Sequence, residues 1–111
     1  MIDTPETLII IIKRFKQIGM NYIKNNSLIK FDETLDISRY KLGDTDLFKY
    51  RLFGIGNHIG GIDGGHCYAY CKDIRDIHSN WIKYDDDNFN NTLQFSQVLS
   101  PSAYLLFYKK I

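Results

Sequence analysis

A surplus of charge of one sign is missing from this chain: 14 Lys and Arg stand against 13 Asp and Glu, a formal net charge of +1. A groove that tracks nucleic acid needs a one-sided basic surface, so no nucleic-acid partner is expected. Long apolar runs are missing too. The run Leu8–Ile12 is far shorter than the roughly 20 residues that cross a bilayer, and no membrane association is expected. Met1-Ile2-Asp3 has no basic n-region and no small-residue cleavage site follows the apolar run, so no leader peptide is expected. Cysteine is scarce: Cys67 and Cys71 are the two present. Placed i and i+4 on one predicted strand, they lie roughly 13 Å apart at ~3.3 Å per residue and cannot bridge each other. A reducing cytoplasm or nucleus is the expected setting.

What the chain does have is a 44% hydrophobic and 14% aromatic composition, enough for one packed domain over residues 1–111. Its organising stretch runs from Tyr50 to Tyr70. Tyr50, Leu52, Gly54 and Gly56 alternate with Arg51, Phe53, Ile55 and Asn57, which predicts a strand. Gly60, Gly61, Gly64 and Gly65 supply a loop, and a second strand starts at His66 and runs to about Lys72. Trp81–Tyr84 predicts a third strand, ending in Asp85-Asp86-Asp87. If the strands at 66–72 and 80–84 form an antiparallel hairpin, the acidic end of the second returns to the histidine end of the first. An imidazole held at a strand start with a carboxylate on one ring nitrogen is the arrangement that general-base chemistry wants.

Elsewhere, Leu8–Phe15 predicts a central strand buried on both faces, with Lys13 and Arg14 as gatekeeping charges at its end. Lys16–Asn26 reads as a loop with a short strand at 22–24. Leu28–Phe31 reads as a short strand, and 32–46 as a polar segment tacked to the core by Leu35, Ile37 and Tyr40. Asp73–Ser79 reads as a hairpin loop and Asp85–Thr92 as an Asp/Asn turn. Gln94–Leu99 predicts one helical turn, which Pro101 stops, and Ala103–Lys109 the last strand. His58 reads as a histidine bonded to loop backbone, and His78 as exposed. A zinc set from His58, His66, Cys67, Cys71 and His78 is disfavoured, because strand alternation separates His66 from both thiols. No metal and no cofactor are expected.

Tyr50-x-Leu52-x-Gly54-Ile55-x-x-His58-x-Gly60, then Gly65-His66, then Trp81-x-x-Tyr84-Asp85-Asp86, resembles the histidine box of the ubiquitin-specific proteases. Leu8-Ile9 through Lys13-Arg14-Phe15, Leu35-Asp36-Ile37 and Ser102-Ala103-Tyr104 through Tyr108 extend the resemblance over nearly the whole chain. It implies an α+β fold, mostly antiparallel sheet, matching the palm-like C-terminal part of a papain-like cysteine peptidase domain. It implies thiol-dependent hydrolysis after the C-terminal glycine of ubiquitin, with ubiquitin or ubiquitinated proteins as partners. His66 is then the general base. Asp85, with Asp86 as its competitor, orients the ring, the other acid of the pair supporting the site. Gly64, Gly65 and Cys67 border the ubiquitin tail, although the family usually carries tyrosine where this chain has Cys67. Gly60–Gly65 and Lys16–Asn26 correspond to the two loops that flank the tail channel. The family's nucleophile lies in an Asn-x-x-x-x-Cys segment, and no such segment occurs between Met1 and Leu8. The expectation is therefore a segment that supplies His and Asp, with the cysteine half provided elsewhere, a separate chain being one such source. The alternatives are a catalytically inactive ubiquitin-binding or regulatory remnant, and a β-rich interaction module in which the glycine loop only spaces two strands.

Overall fold

In a computed structural model of the protein, residues 6–37, 49–61, 64–76, 78–86 and 88–111 are described. Tyr40 and Asp87 lie outside them. The strands are β1 (Thr7–Ile11), β2 (Phe15–Ile18), β3 (Asn21–Lys24), β4 (Thr34–Asp36), β5 (Lys49–Ile59), β6 (His66–Cys71), β7 (Trp81–Asp85), β8 (Asn88–Leu93) and β9 (Ala103–Lys110), with one helical turn, α1 (Phe95–Val98), between β8 and β9. The main sheet runs β1-β9-β5-β6-β7-β8, every pair antiparallel, with β4 joined to β5. β2 and β3 form a separate two-stranded hairpin.

β5 is the spine. It pairs with β9 along one edge, and along the other with β4 at Lys49–Arg51 and β6 at Gly54–Ile59. Its alternation does not run unbroken. Leu52 faces Tyr108 and Gly54 faces Phe107, so Phe53 is an extra residue opposite neither. This bulge flips the phase: Tyr50 and Leu52 are buried before it, Ile55 and Asn57 after it. Gly54 and Gly56 therefore lie on the face opposite Ile55. A Cβ there would come within 3.3 Å of the Phe107 side chain at Gly54 and 3.1 Å of Leu105 at Gly56. These glycines let β9 side chains lie flat on the strand.

The core lies on the face carrying Tyr50, Leu52, Ile55, Tyr70, Trp81 and Tyr108. α1 caps it through Val98 and through Phe95, whose ring meets those of Phe31 and Trp81 at 6.2 and 6.3 Å. Trp81, 1% exposed, is the largest fully buried side chain. Truncating such a residue to alanine costs about 3–5 kcal/mol.

Four expectations fail here. Among the described residues β1 is an edge strand, not a central one; it pairs with β9 alone and alternates, with Ile9 and Ile11 53% and 66% exposed. Its unbroken apolar run concealed a period of two. The segment after Phe15 is a hairpin rather than a loop: the short strand expected at 22–24 forms as β3, but it pairs with β2 around Gly19, whose φ of 63° suits glycine. No strand forms over 28–31. That stretch is held instead by buried Phe31 and by the Tyr108 hydroxyl, which donates to the Asp32 carbonyl at 2.7 Å. The Asp/Asn segment forms strand β8 after a tight turn in which Asp86 takes φ 53°, a conformation that Asp and Asn tolerate. The expected strands β5, β6, β7 and β9 and the helical turn are all present.

Candidate active site

His66 opens β6 and Asp85 closes β7. The β6–β7 register pairs Ala69 with Tyr84, Tyr70 with Lys83 and Cys71 with Ile82. Carried on, it sets Asp85 beside Tyr68, on the face that Tyr68 shares with His66 and Tyr70. Asp85 Oδ1 and His66 Nε2 are hydrogen-bonded, with the two side chains 30% and 44% exposed. Asp85 accepts from Nε2–H, which leaves Nδ1 as the ring atom with a free lone pair. The hydrogen bond to Asp85, then its charge, and to a smaller extent the charge of Asp86, hold the His66 pKa above its usual 6.5. Asp86 sits in the β7–β8 turn, and its carboxylate comes within 4.8 Å of both other groups. As a metal set this trio is poor: three donors, one of them already committed to its neighbour.

The glycine loop sets where His66 begins. Gly65 has φ 139°, and a Cβ there would overlap the Ile59 carbonyl oxygen and lie 2.7 Å from His58 Nε2. Gly60 has φ 110°, and its Cβ would lie 2.8 Å from the Gly65 Cα. Both positions need glycine, since the neck of the loop closes backbone against backbone. Gly64 is exposed with open space around it.

Cys67 lies on the other face, paired with His58 across β5–β6. It is exposed and lies near Tyr104, whose phenol pKa is pushed up first by burial and then by Cys67. Burial also raises the Cys71 thiol. Both cysteines are free.

His58 differs from expectation. Among the described residues its ring is not bonded to loop backbone: Nδ1 accepts from Lys24 Nζ at 3.2 Å, and the ring packs edge-on against Phe15 and Tyr104. The loop carbonyls are bonded by Lys24 itself. These four side chains, with Arg14 and Ile11, line a cavity of about 440 Å³ between the β2–β3 hairpin and the glycine loop. Arg14 is no surface gatekeeper. It is 5% exposed, and its guanidinium donates to the carbonyls of Ala103, Ser27 and Asn25. Sequence pattern gave no sign of the roles of Lys24 and Arg14, because the Lys24 partners lie 34–36 residues away and the Ala103 carbonyl lies 89 residues from Arg14. Asn57 was legible only as a strand residue; its side-chain amide is fully buried and, among the described residues, has no hydrogen-bond partner.

Known proteins resemble this arrangement over nearly the whole chain. The sequence profile described as "Ubiquitin carboxyl-terminal hydrolase" matches residues 1–108. Ubiquitin carboxyl-terminal hydrolase 9 of Arabidopsis thaliana is 33% identical over 111 residues, and ubiquitin carboxyl-terminal hydrolase 12 of Saccharomyces cerevisiae is 37% identical over 109. Each alignment covers 96% of this chain but only 12% and 8% of those proteins. Among solved structures, the SAGA DUB module Ubp8/Sgf11/Sus1/Sgf73 bound to ubiquitin aldehyde superposes with a TM-score of 0.85 at 28% identity, over 96% of this chain and 25% of that one. A SAGA DUB module bound to monoubiquitin gives 0.84 at 30% identity, over 96% and 24%. The chain belongs to the ubiquitin carboxyl-terminal hydrolase family and corresponds to the C-terminal part of a ubiquitin-specific protease domain. Among the described residues no helix is long and apolar enough to cross a membrane.

Proposed function

We propose that this chain is the base-bearing portion of a deubiquitinase catalytic domain. His66 takes the proton of a cysteine thiol through Nδ1, and Asp85 on Nε2 fixes the tautomer and stabilises the imidazolium that results. The observation that carries the reading is the His66–Asp85 hydrogen bond on an open, half-exposed face. Asp86 adds negative field from the turn. Gly64, Gly65 and Cys67 border the path of the ubiquitin tail beside the same loop. The sulfur comes from outside these 111 residues. Cys67 points away from His66, and Cys71 lies about 16 Å along the strand, at the rise per residue of a β-strand. The thiolate then attacks the carbonyl after the last glycine of ubiquitin, and His66 returns the proton to the departing amine.

The test uses the complete protein that contains this chain and a ubiquitin carrying an electrophilic C-terminus. The adduct is expected on a cysteine outside residues 1–111 and should disappear in His66→Ala. Tight ubiquitin binding with no adduct in the wild type would favour the inactive ubiquitin-binding alternative. An adduct on Cys67 or Cys71 would overturn the assignment of faces.

A further inference from the structure

The ammonium of Lys24 stands at the neck of the glycine loop with all three of its donors engaged. It donates to the Gly60 carbonyl at 2.8 Å, the His58 carbonyl at 3.0 Å and His58 Nδ1 at 3.2 Å. Lys24 is the last residue of β3 and pairs with Phe15, whose ring lies 5.9 Å below Nζ. One side chain thus ties the separate β2–β3 hairpin to both the entry of the loop and the histidine beneath it.

The chain of contacts continues to the catalytic histidine. An ammonium has no lone pair, so His58 Nδ1 must accept and the ring proton sits on Nε2. That Nε2 edge lies against Gly65, where a Cβ would approach it to 2.7 Å. Gly65 immediately precedes His66, and Ile59, the residue after His58, pairs with His66 across the strands. Movement of the His58 ring or of the Gly60 carbonyl must therefore be felt at the backbone of His66.

We propose that Lys24 is a positioning residue for the proposed deubiquitinase site: through His58 and the Gly60 carbonyl it closes the neck of the glycine loop and so fixes where His66 enters the sheet. The inference rests on the functional reading above for the importance of His66, but not for the staple itself. A lysine serves here because three donors on one small head match two carbonyls and a ring nitrogen that diverge in direction.

The test is made on the complete protein and needs no catalysis. Lys24→Met keeps the stem and removes the donors. Amide hydrogen exchange at the loop neck, His58–Gly61 and Gly65–His66, is expected to accelerate about tenfold or more, the scale of losing charge-assisted hydrogen bonds. β7 and β9 should keep their protection, and Lys24→Arg, whose fork reaches two carbonyls, should restore most of the loss. In ubiquitin hydrolysis, Lys24→Met should lower kcat more than it raises KM. Unchanged exchange at the neck, or loss of protection spread evenly over the sheet, would overturn the proposal. Should Lys24→Met not fold, long-range proton–nitrogen NMR of the unaltered protein decides: His58 must carry its proton on Nε2, and the opposite tautomer rules the staple out. If the wild type neither binds nor cleaves ubiquitin, the functional reading fails while these exchange and tautomer measurements still judge the staple.

Discussion

Asp85 reaches His66 diagonally across β6–β7, from a position level with Tyr68 rather than with His66 itself. Diagonal neighbours on one sheet face lie within reach of long side chains, and the short aspartate succeeds because His66 extends towards it. Asp86, one residue on, has turned out of the strand at φ 53° and contributes charge rather than a hydrogen bond. The two acids should therefore separate in mutagenesis. Asp85→Asn is expected to lower kcat for ubiquitin release on the order of 10²-fold or more, since the His66 base loses the partner that fixes its tautomer and stabilises the imidazolium. Asp86→Asn should cost clearly less. Steady-state kinetics on a fluorogenic ubiquitin substrate decides, and equal losses would assign the orienting role to the pair rather than to Asp85.

The pH dependence follows from the same pair. The His66 pKa is raised in the folded state above 6.5 by the bond to Asp85. The pair therefore favours folding most below about pH 6.5, and its contribution fades as pH rises through the elevated folded value. Asp85→Asn removes the cause. NMR titration of His66 should show its midpoint moving down in that variant, and stability below pH 6.5 should fall towards that at pH 8. A midpoint unmoved by Asp85→Asn would mean that the hydrogen bond does not govern the ring.

Arg14 tests a different part of the chain. Its guanidinium bonds the carbonyls of Ala103, Ser27 and Asn25, tying the exit of β1 and the end of the hairpin to the start of β9. Burial lowers its pKa, the cost of enclosing a cation. Arg14→Met leaves carbonyl oxygens unpaired in the interior and should destabilise the domain by about 2–4 kcal/mol. Arg14→Lys should recover only part of this, since an ammonium cannot present the Arg fork to the Ala103 oxygen. Chemical denaturation of the three proteins measures both. A loss under 1 kcal/mol in Arg14→Met would mean that water replaces the guanidinium.

The contrast between these residues explains what pattern alone could show. His66, Asp85 and their hairpin were legible because strand alternation, a glycine loop and antiparallel return are local rules acting on neighbouring segments. The face of Cys67 followed from the same alternation. Of the β2–β3 hairpin only the short strand at 22–24 was legible; β2 and the pairing were not, since these residues are mostly exposed and leave no apolar period. Nor was the phase change in β5: a bulge at Phe53 depends on what β9 presents opposite it. Arg14 and Lys24 look like ordinary surface charges until distant carbonyls are brought to them. The edge position of β1 was hidden because an uncovered apolar face and a buried one read alike.

Gly65 offers the sharpest local test. Its φ of 139° lies where L side chains rarely go, and a methyl group would overlap the Ile59 carbonyl oxygen while pressing on His58. Neither neighbour can give way cheaply: Ile59 O is backbone paired to His66, and His58 is held by Lys24. Gly65→Ala must therefore shift the start of β6. The strain of a forced backbone conformation is of order 1–3 kcal/mol, which the rest of the sheet can absorb. The position of His66 cannot absorb it, because its bond to Asp85 depends on where β6 begins. The variant should fold, with a melting temperature reduced by several degrees, yet lose most of its activity and return the His66 titration towards that of a free imidazole. Gly64→Ala, in open space at the same loop, should change neither fold nor titration. If Gly65→Ala titrates at His66 like the wild type, the loop neck does not set the geometry of the pair.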